Sequence, residues 1–196
     1  RIRVRKRIPV GGGLGGGSSD AATVLVVLNR LWGTALGPPE LAGLGLELGS
    51  DVPIFVHGSS AWAEGRGEKL TPVELPAAWY LVVHPGVAVA TAGIFQAPEL
   101  TRNSPLITIR ALSPGQTRND CEPVVRSRYP AVAAALDWVG ARAAARLSGT
   151  GSCVFASFAS AADAERVAAR VPDEWSAYVA RGLNRSPLLA ALESIT

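Results

Sequence analysis

Methionine is absent from these 196 residues, and cysteine and histidine occur only twice each. Two cysteines, Cys121 and Cys153, cannot build a disulfide framework, and both are expected as reduced, structural thiols. No Cys/His group has metal-ligand spacing, so no protein-built metal site is expected. His57 and His84 stand far apart in the chain, and a packing or turn role is expected for each. No apolar run approaches the roughly 20 residues of a spanning helix. The charged start is not followed by the apolar stretch of a secretion signal. A cytoplasmic protein with no membrane partner is the expectation.

Acidic residues are slightly outnumbered, 16 against 19 basic, which gives a formal charge of +3 and a pI near 9.2. The excess is local. Arg1, Arg3, Arg5, Lys6 and Arg7 crowd the first seven residues, and the remainder of the chain is weakly acidic. Ile2, Val4 and Ile8 alternate with these charges, which predicts a strand over Arg1–Pro9 with one solvated face. Nucleic acid is therefore not an expected partner. With 48% hydrophobic residues, the chain has enough material for one large domain or two small ones.

What the chain has in excess is glycine in one place. The run Pro9-Val10-Gly11-Gly12-Gly13-Leu14-Gly15-Gly16-Gly17-Ser18-Ser19 leaves the backbone almost bare. Exposed N–H groups there can turn onto an anion. Ala21–Trp32 follows, nearly all apolar and free of Gly and Pro, and predicts a buried helix. A glycine loop feeding a helix N-terminus is a phosphate site. Ser18 and Ser19 stand where a helix cap belongs, and their hydroxyls can also reach a phosphate oxygen or a metal ion.

Several loop types compete. A Walker A loop needs Gly-Lys-Ser/Thr, and no lysine lies in this run. A dinucleotide fingerprint is met formally by Gly11, Gly13 and Gly16, but it requires an acidic ribose ligand about 20 residues on. Only Glu40 is near, behind Pro38-Pro39. A flexible linker rarely runs straight into an apolar helix. A Pro-x-x-x-Gly-Leu-Gly-x-x-Ser-Ser pattern is matched by Pro9, Gly13, Leu14, Gly15, Ser18 and Ser19.

Further along, Pro38-Pro39 predicts the start of a second helix with Leu41, Leu44 and Leu48 on one face. Gly49 ends it, and Asp51 falls on a turn before Val52, which Pro53 should push away from helical geometry. Ala61–Glu64 and Lys69–Val73 read as a hairpin around Gly65 and Gly67. Pro72 and Pro76 mark a boundary. Beyond it, strands are expected at Trp79–His84, Val154–Phe158 and Tyr178–Ala180, with helices at Ala131–Arg142 and Ala161–Val171. Loops are expected at Ala97–Pro105 and around Ser113–Arg118. This alternation predicts an α+β fold.

The Pro9–Ser19 pattern resembles the ATP loop of the galactokinase, homoserine kinase and mevalonate kinase superfamily, the GHMP kinases. Lys6-Arg7-Ile8-Pro9, Gly49-Ser50-Asp51-Val52-Pro53, His84-Pro85-Gly86, Asn119-Asp120-Cys121, Ser148-Gly149-Thr150-Gly151 and Asn184-Arg185-Ser186-Pro187 extend the likeness along nearly the whole chain. They resemble the branch whose acceptor is a cytidine diphosphate-linked methylerythritol of the non-mevalonate isoprenoid pathway. The resemblance implies a GHMP kinase-like fold. Residues 1–76 would be part of a ribosomal-protein-S5-like ATP-binding domain, and residues 77–196 a ferredoxin-like C-terminal domain. It implies ATP and Mg²⁺ as cofactors and phosphorylation of a 2-hydroxyl.

By the same resemblance, Lys6 lies near the adenine, and Gly11, Gly12, Gly13, Leu14, Gly15, Gly16, Gly17, Ser18 and Ser19, with Pro9 and Val10, hold the nucleotide. Asp51 is the catalytic carboxylate; by itself, an Asp in this setting is more often a turn-former or cap. Phe95 would stack on cytosine and is otherwise a core residue, with Thr91 beside it. Gly149, Thr150 and Gly151 would line the substrate side and are otherwise a plain turn. The family pairs its aspartate with an early lysine, and neither Lys6 nor Lys69 fits that place. Its early aromatic–histidine pair has no counterpart either. The chain therefore reads as lacking an N-terminal part and as inactive alone. Rival readings are a homoserine- or mevalonate-type kinase, and a non-catalytic nucleotide- or RNA-binding module. Oligomeric state is left open.

Overall fold

The computed structural model describes residues 1–105 and 118–193. They form two compact units. The first comprises Arg1–Arg5, Gly15–Pro76 and the tail from Leu183; the second comprises Lys6–Leu14 and Ala77–Gly182. The chain passes between them after Arg5, Leu14, Pro76 and Gly182, so Pro76 is one of several crossings and not a single boundary. Two segments join their units through long-range hydrogen bonds. The Ser152 and Cys153 amides donate to the Gly11 and Gly12 carbonyls. The Asn184 side chain exchanges two bonds with the Leu75 backbone.

In the first unit, α1 spans Gly16–Trp32, α2 Pro38–Leu48 and α3 Val52–His57. The first helix starts five residues before the apolar run. Its N-cap is Gly15, in the left-handed conformation, so Ser18 and Ser19 lie inside the first turn and not at the cap. The helix is amphipathic and not buried all round: Ala22 is enclosed, whereas Leu31 and Trp32 are exposed. Ala22 packs with Leu41 of α2 and with Val52 and Val56 of α3.

On α2 the buried pair is Leu41 and Gly45, while Leu44 and Leu48 face outward. Gly45 admits α3: a Cβ there would lie 2.8 Å from Val52 Cγ1. Val52 is not extended, as its proline neighbour suggested. It opens α3 with Pro53 in the first turn, where a missing N–H costs nothing. The hairpin forms as expected, β1 (Ala61–Glu64) against β2 (Lys69–Pro72), with Trp62 opposite Thr71.

Arg1–Pro9 is not a strand. Alternation sets which side chains face out, but a strand needs a hydrogen-bonding neighbour. Among the described residues none pairs with it, and Ile2 and Val4 are exposed.

The second unit is built on β3 (Trp79–His84), β4 (Arg146–Leu147), β5 (Val154–Phe158) and β6 (Ser176–Arg181), antiparallel in the order β4-β5-β3-β6. Between β3 and β4 lie α4 (Thr91–Phe95), α5 (Glu122–Arg128) and α6 (Pro130–Gly140); α7 (Ala161–Ala168) joins β5 to β6. Taking α6 and α7 as the two crossovers gives the β-α-β-β-α-β ferredoxin-like path. The short helices α4, α5 and α8 (Pro187–Glu193) and strand β4 carry too few residues for a periodic signal.

Leu81 and Val83 of β3 and Val154 and Ala156 of β5 point into one core with Val132, Ala135, Leu136 and Val139 of α6. The period-two alternation sends Tyr80 and Phe155 to the other face, where their rings meet at 6.2 Å. Of the expected loop at Ser113–Arg118, only Arg118 lies among the described residues.

Candidate functional site

The glycine run divides its packing at Leu14. In the second unit, Gly11, Gly12 and Gly13 lie against the small-residue turn after β4. The Ser152 amide donates to the Gly11 carbonyl (3.3 Å) and the Cys153 amide to that of Gly12 (3.0 Å). Ser148 Oγ donates to the carbonyl of Gly13 (2.8 Å). Three successive carbonyls are thus held by protein donors. Their peptide planes cannot swing an oxygen toward an incoming anion, which is what a backbone phosphate cradle must prevent. Gly13 is required twice over: its φ is +72°, and a Cβ would meet the Ser148 carbonyl oxygen at 2.1 Å.

In the first unit, Gly15 caps α1, and Ser19 N–H donates back to the Gly15 carbonyl (2.8 Å). No acidic side chain lies in the first turn, so the positive end of this helix dipole is left for an external anion. A Cβ on Gly15 would come within 2.9 Å of the Phe55 ring, so the start of α1 rests on α3. Asp51 is the N-cap residue of that same α3, one turn before Phe55. It is exposed, and its side chain makes no capping bond. The capping alternative is therefore unused, and the carboxylate is available to a ligand.

The substrate-side candidates lie in the second unit. Thr91 Oγ1 and Thr150 Oγ1 are 2.9 Å apart, tying the start of α4 to the turn Ser148–Ser152. Thr150 is buried, as is Gly151, while Gly149 is open. Phe95 is 55% exposed and its neighbour Ile94 is buried. Phe95 is not a core residue. Two arginines hold its helix: Arg102 donates to the carbonyls of Phe95 (2.7 Å), Ala97 and Leu100, and Arg128 donates to Gly93 while pairing with Glu99 (2.7 Å). Glu99 is held below the usual carboxylate range, first by its own backbone N–H and then by Arg128.

Lys6, Pro9 and Val10 lead into the loop, with Val10 on the surface. His84 has the turn role expected of it, its Nδ1 accepting from Gly86 N–H (3.3 Å). Burial pushes the Cys153 thiol up to about 11, beneath the loop and far from nucleophilic form. Among the described residues no three His, Cys, Asp or Glu side chains gather as a metal cage. Nor is any described helix long and apolar enough to cross a membrane. Arg102 and Arg128 had no signal in the sequence, and Ser148 stood there only as part of Ser148-Gly149-Thr150-Gly151; all three act through backbone carbonyls. Asn119 was visible only as part of a motif.

The family model for the GHMP kinases N-terminal domain matches residues 1–59, and that for the GHMP kinases C-terminal domain matches 99–177. The chain is 58% identical over 190 residues to 4-diphosphocytidyl-2-C-methyl-D-erythritol kinase of Halorhodospira halophila, covering 95% of this chain and 66% of that protein. It is 59% identical over 191 residues to the protein of that name from Alkalilimnicola ehrlichii, covering 97% and 66%. With that of Pseudomonas aeruginosa it shares 54% over 194 residues, covering 99% and 69%. A crystal structure of 4-(cytidine 5'-diphospho)-2C-methyl-D-erythritol kinase matches with a TM-score of 0.75 at 32% identity, over 90% of this chain and 68% of that one. The chain thus spans about two thirds of the length of these relatives.

Proposed function

Because this chain belongs to the GHMP kinase family, we propose that the protein carrying it transfers the γ-phosphoryl group of ATP to the 2-hydroxyl of 4-diphosphocytidyl-2-C-methyl-D-erythritol. The observation that carries this reading is the glycine run itself. Its carbonyls at Gly11–Gly13 are held by the Ser148–Cys153 segment, and its far end feeds an α1 N-terminus free of acidic side chains.

Phosphoryl transfer needs the nucleotide held, charge neutralised and the acceptor hydroxyl aligned. Gly11–Ser19 hold the phosphates through backbone N–H groups and the helix dipole, with Lys6, Pro9 and Val10 on the adenine side. Magnesium, when bound, neutralises phosphate charge. Among the described residues no carboxylate cage gathers, so the Ser18 or Ser19 hydroxyl would be the protein's contact to the ion, beside phosphate oxygens and water. Asp51 accepts the hydroxyl proton as that oxygen bonds to the γ-phosphorus and ADP leaves. Its uncapped, exposed carboxylate supports this role. Phe95 presents a free aromatic face for the cytosine, and Thr91, Gly149, Thr150 and Gly151 line the same side.

Two measurements on the complete protein test the reading. Asp51→Asn should leave ATP binding within about threefold and lower turnover by about 10²–10⁴. Cytidine diphosphate should compete with the acceptor and not with ATP. Near-normal turnover by the variant would remove Asp51 from the chemistry. Indifference to cytidine diphosphate would favour a homoserine- or mevalonate-type acceptor.

A further inference from the structure

Asn119 sits just before α5, whose Val124 and Val125 are buried in the core of the second unit. Both N–H donors and the oxygen of its carboxamide are engaged. Nδ2 donates to the carbonyls of Leu147 (3.2 Å) and Gly149 (2.6 Å), and Oδ1 accepts from the Cys121 amide (2.9 Å). A primary amide has two N–H donors, and here they fork onto carbonyls two residues apart. The residue between those carbonyls is Ser148. Its hydroxyl donates to Gly13, its amide to Cys153 (2.9 Å), and its carbonyl accepts from Gly151 (2.8 Å).

We propose that Asn119 is a positioning residue for the phosphate loop. It fixes the Leu147–Gly149 backbone so that Ser148 can pin the Gly13 carbonyl away from the anion. The inference rests on the kinase reading only in naming that anion as a nucleotide phosphate. None of the hydrogen bonds described for Asn119 goes to Gly11, Gly12 or Gly13, so its effect reaches them through Ser148. Cys and Gly residues flanking this network supply no other side-chain donor to Leu147 or Gly149 among the bonds described.

The chemistry singles out one substitution. Asn119→Asp keeps the acceptor for Cys121 and sets a carboxylate oxygen against two carbonyl oxygens. Asn119→Ala removes the donors without adding charge. Hydrogen exchange followed by mass spectrometry on the complete protein should show at least tenfold faster exchange at 147–153 and 11–14 in both variants. Exchange in the Leu81–Val83 and Val154–Ala156 core should stay unchanged. Titration with a non-hydrolysable ATP analogue should weaken at least tenfold, more for Asp than for Ala. Unchanged exchange at 11–14 overturns the proposal. So does global unfolding of both variants, which would make Asn119 a folding residue. If the complete parent protein binds no analogue, the kinase reading fails, and the exchange comparison still decides the role of Asn119.

Discussion

Gly13 and Gly17 show how differently two glycines in one run can matter. At Gly13 a Cβ would collide with the Ser148 carbonyl oxygen at 2.1 Å in a left-handed backbone, whereas at Gly17, inside α1, it would meet nothing within 4 Å. Gly13→Ala is expected to destabilise the fold by about 2 kcal/mol or more, because backbone must move on both sides of the contact. Gly17→Ala should stabilise it by roughly 0.5–1 kcal/mol, through the lower entropy of the unfolded chain. Urea unfolding of the two variants checks both signs. A flat glycine requirement along the run would give losses at both positions. Residue identity announced a bare backbone here; which glycine the packing demands depends on a turn more than 130 residues away.

Helix ends make the same distinction for elements. At α7, Ser160 accepts a bond from Asp163 N–H (3.1 Å) and donates one to the Asp163 carboxylate (2.7 Å). At α1 the cap is a glycine without any side-chain bond. A helix whose N-terminal donors bind a phosphate, as proposed for α1, cannot also use them in its own cap. Ser160→Ala should therefore cost about 1 kcal/mol of stability, read as a lower urea midpoint at unchanged slope, and leave nucleotide binding alone. The periodic elements were legible: α2, α6, α7 and strands β3 and β5 carry spacings that fix helix or strand. Arg1–Pro9 misled because alternation without a pairing neighbour is not a strand. The helix α3 was hidden because a residue before proline is disfavoured from helical geometry, whereas here Val52 opens the helix with Pro53 in its first turn.

For the whole molecule, the buried thiol beneath the loop gives a pH signature. Cys153 is fully enclosed, and burial raises its pKa from 9.0 to about 11. Between these values the folded chain keeps a proton that the unfolded chain releases. This contribution to stability is complete below pH 9. It declines as pH rises toward about 11, with a slope of at most about 1.4 kcal/mol per pH unit. Urea midpoints of the parent and Cys153→Ala, compared from pH 8 to 11, should converge as the parent loses that advantage. A pH-independent difference would mean that the thiol titrates alike in both states.

Local chemistry alone determined that a bare-backbone loop feeds a helix, that strands and helices alternate beyond Pro76, and that an aspartate stands on a turn after α2. These follow from dihedral freedom, apolar spacing and the geometry of proline, all of which act over a few residues. Only the tertiary structure decided which carbonyls of the loop are pinned, that Phe95 is exposed while Ile94 is buried, and that Asp51 leaves its own helix uncapped. It also joined the tail from Leu183 to the first unit and Lys6–Leu14 to the second. Such outcomes are set by hydrogen bonds and van der Waals contacts between distant segments, for which neighbouring residues carry no periodic or compositional trace.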